Sequence, residues 1–168
     1  TFEDVIVVAQ SVHTVLEAID VPHYVKTSGA TGLHIDVPLG AQYSYDQALQ
    51  FILLVDRLVN RLLPDLTSLQ RSPKLRVGKI YLDYLQNRAG QTMVAPYSLR
   101  PRPGMPVSAP LAWDEVRPGL SPADFNMRTI LERVDRLGDL WAPVIGPGVD
   151  MPAALERLQS AWPRLVES

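Results

Sequence analysis

Val21-Pro22-His23-Tyr24-Val25-Lys26-Thr27-Ser28-Gly29-Ala30-Thr31-Gly32-Leu33-His34-Ile35-Asp36-Val37-Pro38 sets two short runs of strand-forming residues around a glycine turn. Pro22 suits the first position of a strand, and Tyr24 and Val25 favour the pleat. From Leu33 onward the side chains alternate, with Leu33, Ile35 and Val37 on one face and His34 and Asp36 on the other. The stretch predicts a β-hairpin with one apolar face and one polar face.

Helices are predicted on both flanks. Thr1 and Asp4 form a capping-box-like start, followed at helical spacing by Val5, Val8, Val12, Val15, Leu16 and Ile19. Ser44 and Gln47 repeat that start before Ala48, Phe51, Ile52, Val55, Leu58, Val59 and Leu62, and Pro64 closes this helix, the expected main core helix. A hairpin between amphipathic helices predicts an α/β (α+β) domain, a mainly antiparallel sheet with helices on one face. Residues 1–168 are expected to form a single domain.

Further on, Lys79-Ile80-Tyr81-Leu82-Asp83-Tyr84-Leu85 alternates as a strand. Gln86 to Gly90 reads as a turn and Thr92 to Ala95 as a return strand, a second hairpin. From Pro96, proline and glycine punctuate the chain. Val107 to Leu111 predicts a short edge strand, Trp113 to Val116 a turn of helix, Thr129 to Leu137 a helix with a capping box to Glu132, and Ala153 to Trp162 a last helix. The polar sheet face is expected to carry both His34 and Asp83.

Composition narrows the function. With 168 residues, 46% hydrophobic and 20% charged, the chain has the balance of a folded domain and not of a disordered tail. No apolar run approaches the about 20 residues that cross a bilayer, and no targeting segment is expected, so the reading is a soluble protein with no membrane partner, its redox compartment left open. Cysteine is absent, leaving carboxylate and imidazole as metal ligands. The net charge of −2 argues against an indiscriminate nucleic-acid binder. Yet Arg71, Lys74, Arg76, Lys79, Arg88, Arg100 and Arg102 crowd one segment whose one acid is Asp83. Such segregation suits a polyanion-binding face on an acidic body.

Three groups carry candidate chemistry. Lys26, Ser28 and His34 surround a glycine turn that suits either a phosphate cradle or a solvated hairpin. Asp83 is a carboxylate in a basic setting, suited to Mg²⁺ or Mn²⁺ or to an ion pair. Arg100-Pro101-Arg102 is a stiffened pair of guanidiniums, suited to phosphate oxygens or to solvent. A Ser28, His34, Asp83 hydrolase lacks the nucleophile-elbow context.

Taken together, Lys26-Thr27-Ser28-Gly29-x-x-Gly32-Leu33-His34, Arg76-Val77-Gly78-Lys79-Ile80-Tyr81-Leu82-Asp83-Tyr84-Leu85-Gln86-Asn87, Val94-Ala95-Pro96-Tyr97-Ser98-Leu99-Arg100, Pro106-Val107-Ser108 and Trp113-Asp114-Glu115 resemble the polymerase domain of bacterial ligase D. That family belongs to the archaeo-eukaryotic primase superfamily and serves non-homologous end joining. The resemblance implies a primase-like core and a nucleotidyltransferase that adds NTP or dNTP to DNA 3′-ends. By the same resemblance Ser28 and His34 meet the incoming triphosphate with Lys26 beside them, Arg76, Arg100 and Arg102 lie near phosphates, and Lys79, Gln86 and Arg88 near DNA. Asp83 is implied as a ligand of a two-metal Mn²⁺ or Mg²⁺ site, and it and His34 as the catalytic pair. Partners implied are DNA ends with a 5′-phosphate, ligase and phosphoesterase domains and the Ku end-binding protein, in a bacterial or archaeal nucleoid.

The chain departs from the family at its start. The family carries two metal-binding aspartates one residue apart just upstream of the first helix, and no Asp-x-Asp occurs here. The expectation is therefore an N-terminally incomplete core, inactive alone, its exposed surface covered by a missing segment or by self-association. Asp36 is a candidate replacement metal ligand if its strand neighbours that of Asp83. The competing reading is a non-catalytic module that binds DNA ends or nucleotide, and a third is a protein-interaction fragment.

Overall fold

The computed structural model describes residues 1–167. Thr1 and Asp4 close a capping box at the start of α1 (Phe2–Ala18), and Ser44 and Gln47 close another at α2 (Tyr45–Leu62). Between them β1 (Tyr24–Thr27) and β2 (Leu33–Asp36) pair antiparallel, with Lys26 opposite His34 and Tyr24 opposite Asp36. A third strand, β5 (Pro110–Leu111), joins the far side of β1, also antiparallel, giving the order β2-β1-β5. The α/β architecture with an antiparallel sheet is as the sequence predicts.

α1 is the element shared by two apolar clusters. Val8, Val12, Val15, Leu16 and Ile19 meet Phe51, Val55, Leu58 and Val59 of α2 and Ala154, Leu158 and Ala161 of α4 (Met151–Glu167). Its Ile6 and Ala9 turn to Val25, Val107, Ala109, Leu111, Val116, Phe125 and Ile130. α2 packs against both α1 and α4 in the larger cluster, as a core helix should, while α1 reaches both clusters. Leu16 is fully buried, so Leu16→Ala would cost about 2–5 kcal/mol. α4 runs beyond the predicted Ala153–Trp162, and its approach is fixed by Val149 N–H donating to the Pro38 carbonyl at 3.0 Å. Gly148 permits this, because a Cβ there would stand 2.3 Å from the Leu39 carbonyl carbon.

The second predicted hairpin does not form. β4 is only Ile80–Tyr81, and it pairs parallel with an unpredicted β3 (Thr67–Ser68). Ile80 N–H donates to Leu66 and Leu82 N–H to Ser68, which binds this strand to the chain that follows α2. Asp83 then leads into a 3₁₀ turn (Tyr84–Asn87), and Thr92 to Ala95 has no strand partner among the described residues. His34 consequently lies in the three-stranded sheet while Asp83 lies beyond the end of β4, outside either sheet, and β2 and β4 are not hydrogen-bonded neighbours. The strand adjacency that Asp36 needed to reach Asp83 is absent.

Two smaller expectations also change. α3 (Ile130–Leu137) begins without a side-chain cap, because Thr129 Oγ1 donates to the Asp124 carbonyl at 2.7 Å. The edge strand from Val107 shortens to β5, with Leu99 and Val107 forming a single antiparallel bridge before it. Among the described residues no helix is long and apolar enough to cross a membrane.

Candidate nucleotide and nucleic-acid site

Lys26 and His34, paired across β1 and β2, share a sheet face. Lys26 is only 1% exposed. Its Nζ lies 2.8 Å from His34 Nδ1 and donates to the Val94 carbonyl at 3.0 Å. An ammonium has no lone pair to offer, so His34 Nδ1 accepts and its Nε2 carries the proton. Burial lowers the His34 pKa to about 4, with the positive charges of Lys26 and Arg100 acting in the same direction. His34 is thus a neutral hydrogen-bond donor at pH 7. Burial also lowers the Lys26 pKa, which Asp36 opposes and Arg100 reinforces. Asp36 is pushed up by burial against the pull of Lys26.

The turn between the strands is built around Ser28. Its backbone N–H donates to the Gly32 carbonyl at 2.9 Å, and its Oγ accepts from the N–H groups of Ala30 and Gly32, each at 3.1 Å. The hydroxyl proton stays available to a ligand. Gly29 sits at φ 64°, and a Cβ there would fall 2.4 Å from Arg100 Cγ. Arg100 is therefore laid directly against the turn. A buried polar latch keeps it there: Thr27 Oγ1 donates to Val107 O at 2.8 Å and accepts from Ala109 N–H at 2.9 Å, while Ser108 Oγ donates to Thr27 O at 2.7 Å. Arg100 Nε is buried with no hydrogen-bond partner.

Asp83 stands in a second cluster. With Arg71, Tyr81, Gln86 and Arg88 it lines a polar pocket of about 70 Å³. Burial, and then the neighbouring Asp83 carboxylate, pushes the Tyr81 hydroxyl up to about 12. Arg76 stacks on the Tyr81 ring, its guanidinium carbon 4.3 Å from the ring centre, with a buried, unpartnered Nε. Gln86 donates to the Thr92 carbonyl at 2.6 Å. Lys79 turns to the Pro64 carbonyl, and Arg88 and Arg102 are exposed. No hydrogen bond or ion pair joins the two clusters directly among the described residues. The segment from Thr92 to Val94 touches both, through Gln86 at one carbonyl and Lys26 at the other.

A two-metal centre needs bridging carboxylates at one place. Beside Asp83 the structure offers Asp56 of α2, buried and held up at about 7 by burial and then by Asp83. No third acid or histidine gathers there among the described residues. These residues alone do not fit a complete two-metal site.

The sequence reading missed Thr27 as part of a latch and Asp56 altogether. Asp56 lies four residues after Ile52 and three before Val59, on the apolar stripe of its helix, and that placement was the available signal. His13, four residues before Glu17, was also passed over.

Comparison with known proteins bears on this arrangement. The family described as "LigD, primase-polymerase domain" matches residues 1–141. The multifunctional non-homologous end joining protein LigD of Pseudomonas aeruginosa is 36% identical over 146 residues, covering 86% of this chain and 17% of that protein. Its namesake in Mycolicibacterium smegmatis is 38% identical over 138 residues, covering 82% and 18%. The bifunctional LigD of Bacillus subtilis is 34% identical, covering 77% and 21%. The chain thus spans about a fifth of the length of these curated relatives. A solved polymerase domain from Mycobacterium tuberculosis ligase D in complex with DNA superposes with a TM-score of 0.81 at 31% identity, covering 89% of this chain and 52% of that one. On this combination of fold, motif placement and identity, the chain belongs to the LigD primase-polymerase domain family.

Proposed function

We propose that this chain forms the part of an end-joining polymerase that grips the incoming nucleotide's triphosphate and the DNA end. The observation that carries the reading is the pairing of buried Lys26 with half-buried His34 beside the Ser28–Gly32 turn, with Arg100 packed over Gly29. His34 offers Nε2–H, Ser28 its hydroxyl and Arg100 its unpartnered Nε to phosphate oxygens, three donors on one face of one turn. Lys26, its ammonium already engaged, fixes the His34 tautomer rather than meeting the ligand. Arg76, Arg102, Arg88, Gln86 and Lys79 supply the approach for DNA, and Asp83 contributes one carboxylate to a Mn²⁺ or Mg²⁺ site. The reaction assigned is addition of NTP or dNTP to a DNA 3′-end during non-homologous end joining, in the bacterial or archaeal nucleoid. Partners follow from that role: ligase and phosphoesterase domains, and the Ku end-binding protein.

Binding of an NTP to the chain, followed by fluorescence, tests the grip. His34→Ala and Arg100→Ala should each weaken binding about 10-fold, the scale of one lost hydrogen bond to a charged group. Nucleotide addition to a 5′-phosphorylated, 3′-overhanging duplex with Mn²⁺ tests the chemistry. Binding without incorporation supports a polymerase portion that needs further acids. Incorporation abolished by both Asp83→Ala and Asp36→Ala would show instead a complete enzyme with Asp36 as ligand. Unchanged NTP binding in the His34 and Arg100 variants would sink the proposal.

A further inference from the structure

His13 and Glu17 stand one turn apart on α1, and His23 lies just before β1. One ligand atom from each falls within 4.8 Å of the others. His13 Nδ1 and His23 Nε2 are 2.7 Å apart, and His23 Nδ1 is 2.7 Å from the Val21 carbonyl. A carbonyl only accepts, so His23 Nδ1 carries a proton and the Nε2 lone pair of the neutral ring faces His13. An imidazole oriented by a backbone carbonyl through its other nitrogen is the usual arrangement of a metal-ligating histidine.

The rings are also held in place. Trp113 stacks on His13 with centroids 4.1 Å apart and planes 14° from parallel. Its Nε1–H donates to the His23 carbonyl at 3.1 Å. His23 is buried, His13 half-buried and Glu17 exposed, so the cluster opens to solvent on the Glu17 side. It sits at the opposite end of β1 from the Ser28 turn, about 13 Å of strand away. Nothing in the proposed nucleotide grip uses these residues.

We propose that His13, Glu17 and His23 form a Zn²⁺ site separate from the polymerase centre, with a water in the fourth position. Two imidazoles and a carboxylate with one open position are a ligand set that zinc favours over the harder Mg²⁺. The metal takes the place of the proton between the two rings: His13 gives up its Nδ1 proton and takes one at Nε2, so both rings ligate as neutral imidazoles with no net proton release. Zn–N bonds of about 2.0–2.1 Å in a tetrahedral site require the two nitrogens to separate to about 3.3 Å, which half-buried His13 permits by a small rotation. The bound ion ties α1 to the entry of β1, at the seam between helix and sheet.

The test titrates the chelator-treated full chain with Zn²⁺ and, as a spectroscopic substitute, Co²⁺. One ion should bind per chain, with Co²⁺ giving the intense visible bands of four-coordination. Zinc at 100 times its Kd should raise Tm by about 5–10 °C. Glu17→Gln, at an exposed position, should weaken binding about 10- to 100-fold without altering the fold, and His13→Gln should weaken it at least as much. Asp83→Ala should leave it unchanged. Absence of saturable binding, binding indifferent to Glu17→Gln and His13→Gln, or binding lost with Asp83→Ala would each overturn the proposal.

Discussion

His34 shows how burial and one contact together set the chemistry of a side chain. Burial first, and then the positive charges of Lys26 and Arg100, hold the imidazole neutral, and the ammonium at Nδ1 leaves Nε2 as the donor. With a pKa of about 4 in the fold against about 6.5 in the unfolded chain, it stays unprotonated where the unfolded chain takes up a proton. Its contribution to stability is therefore whole above about pH 6.5 and is lost as pH falls toward 4. Asp56 acts oppositely, since its folded value near 7 is raised above an ordinary carboxylate's, and its contribution is lost as pH rises from about 4 to 7. Bulk stability over this window is the sum of opposed slopes. Imidazole ¹⁵N shifts should thus show His34 neutral and protonated on Nε2 at pH 5.5. Asp56→Asn should remove its opposing slope, leaving stability to fall more steeply on acidification below pH 6.5. A His34 that titrates near 6.5 would contradict both the pairing and its proposed role.

At the scale of elements, Thr27 and Ser108 decide where Arg100 stands. Three hydrogen bonds among Thr27, Ser108 and the backbone of Val107 and Ala109 join β1 to the segment that carries Arg100. Thr27→Val keeps the shape but leaves the Val107 carbonyl and Ala109 amide unsatisfied, and should destabilise by about 1–3 kcal/mol in a urea titration. Gly29→Ala attacks the same junction from the turn, by its positive φ and by collision with Arg100 Cγ. It should lower NTP affinity more than it lowers stability. The hairpin and α1 and α2 were legible in the sequence because their apolar positions repeat at the right periods and their caps are local. The Lys79–Leu85 run was misread because alternation cannot show that β3 is waiting five residues after α2 to take Ile80 and Tyr81 as partners. Nor can it show that Asp83 has already left the sheet for a 3₁₀ turn. Lys26, Ser28 and His34 were found because one hairpin holds all three; the latch behind them spans about eighty residues and leaves no local mark.

For the molecule as a whole, the governing feature is charge separation. The chain is net −2, yet seven of its sixteen lysines and arginines fall between Arg71 and Arg102 with one acid among them. Folding does not leave all seven equally free: Arg76 lies on Tyr81 and Arg100 is packed on Gly29, both half-buried, while Lys79, though exposed, donates to the Pro64 carbonyl. Arg71, Lys74, Lys79, Arg88 and Arg102 stay exposed, Arg71 and Arg88 beside Asp83. A body that is otherwise acidic repels DNA everywhere else, so binding should be confined to this face and dominated by counterion release. The logarithm of the affinity for a DNA end should then fall linearly with the logarithm of salt concentration, by about 0.9 for each phosphate neutralised. Reversing Arg88 and Arg102 to glutamate should flatten that slope by about 2 and leave the fold intact, since both side chains are exposed. The same double variant should leave NTP binding at the Ser28 turn largely in place, because Arg100 and His34 are untouched. An interaction fragment without a nucleic-acid role predicts a different result, a salt slope near zero before and after the reversal. Fluorescence anisotropy of a labelled 5′-phosphorylated duplex across 50–300 mM salt separates the two outcomes.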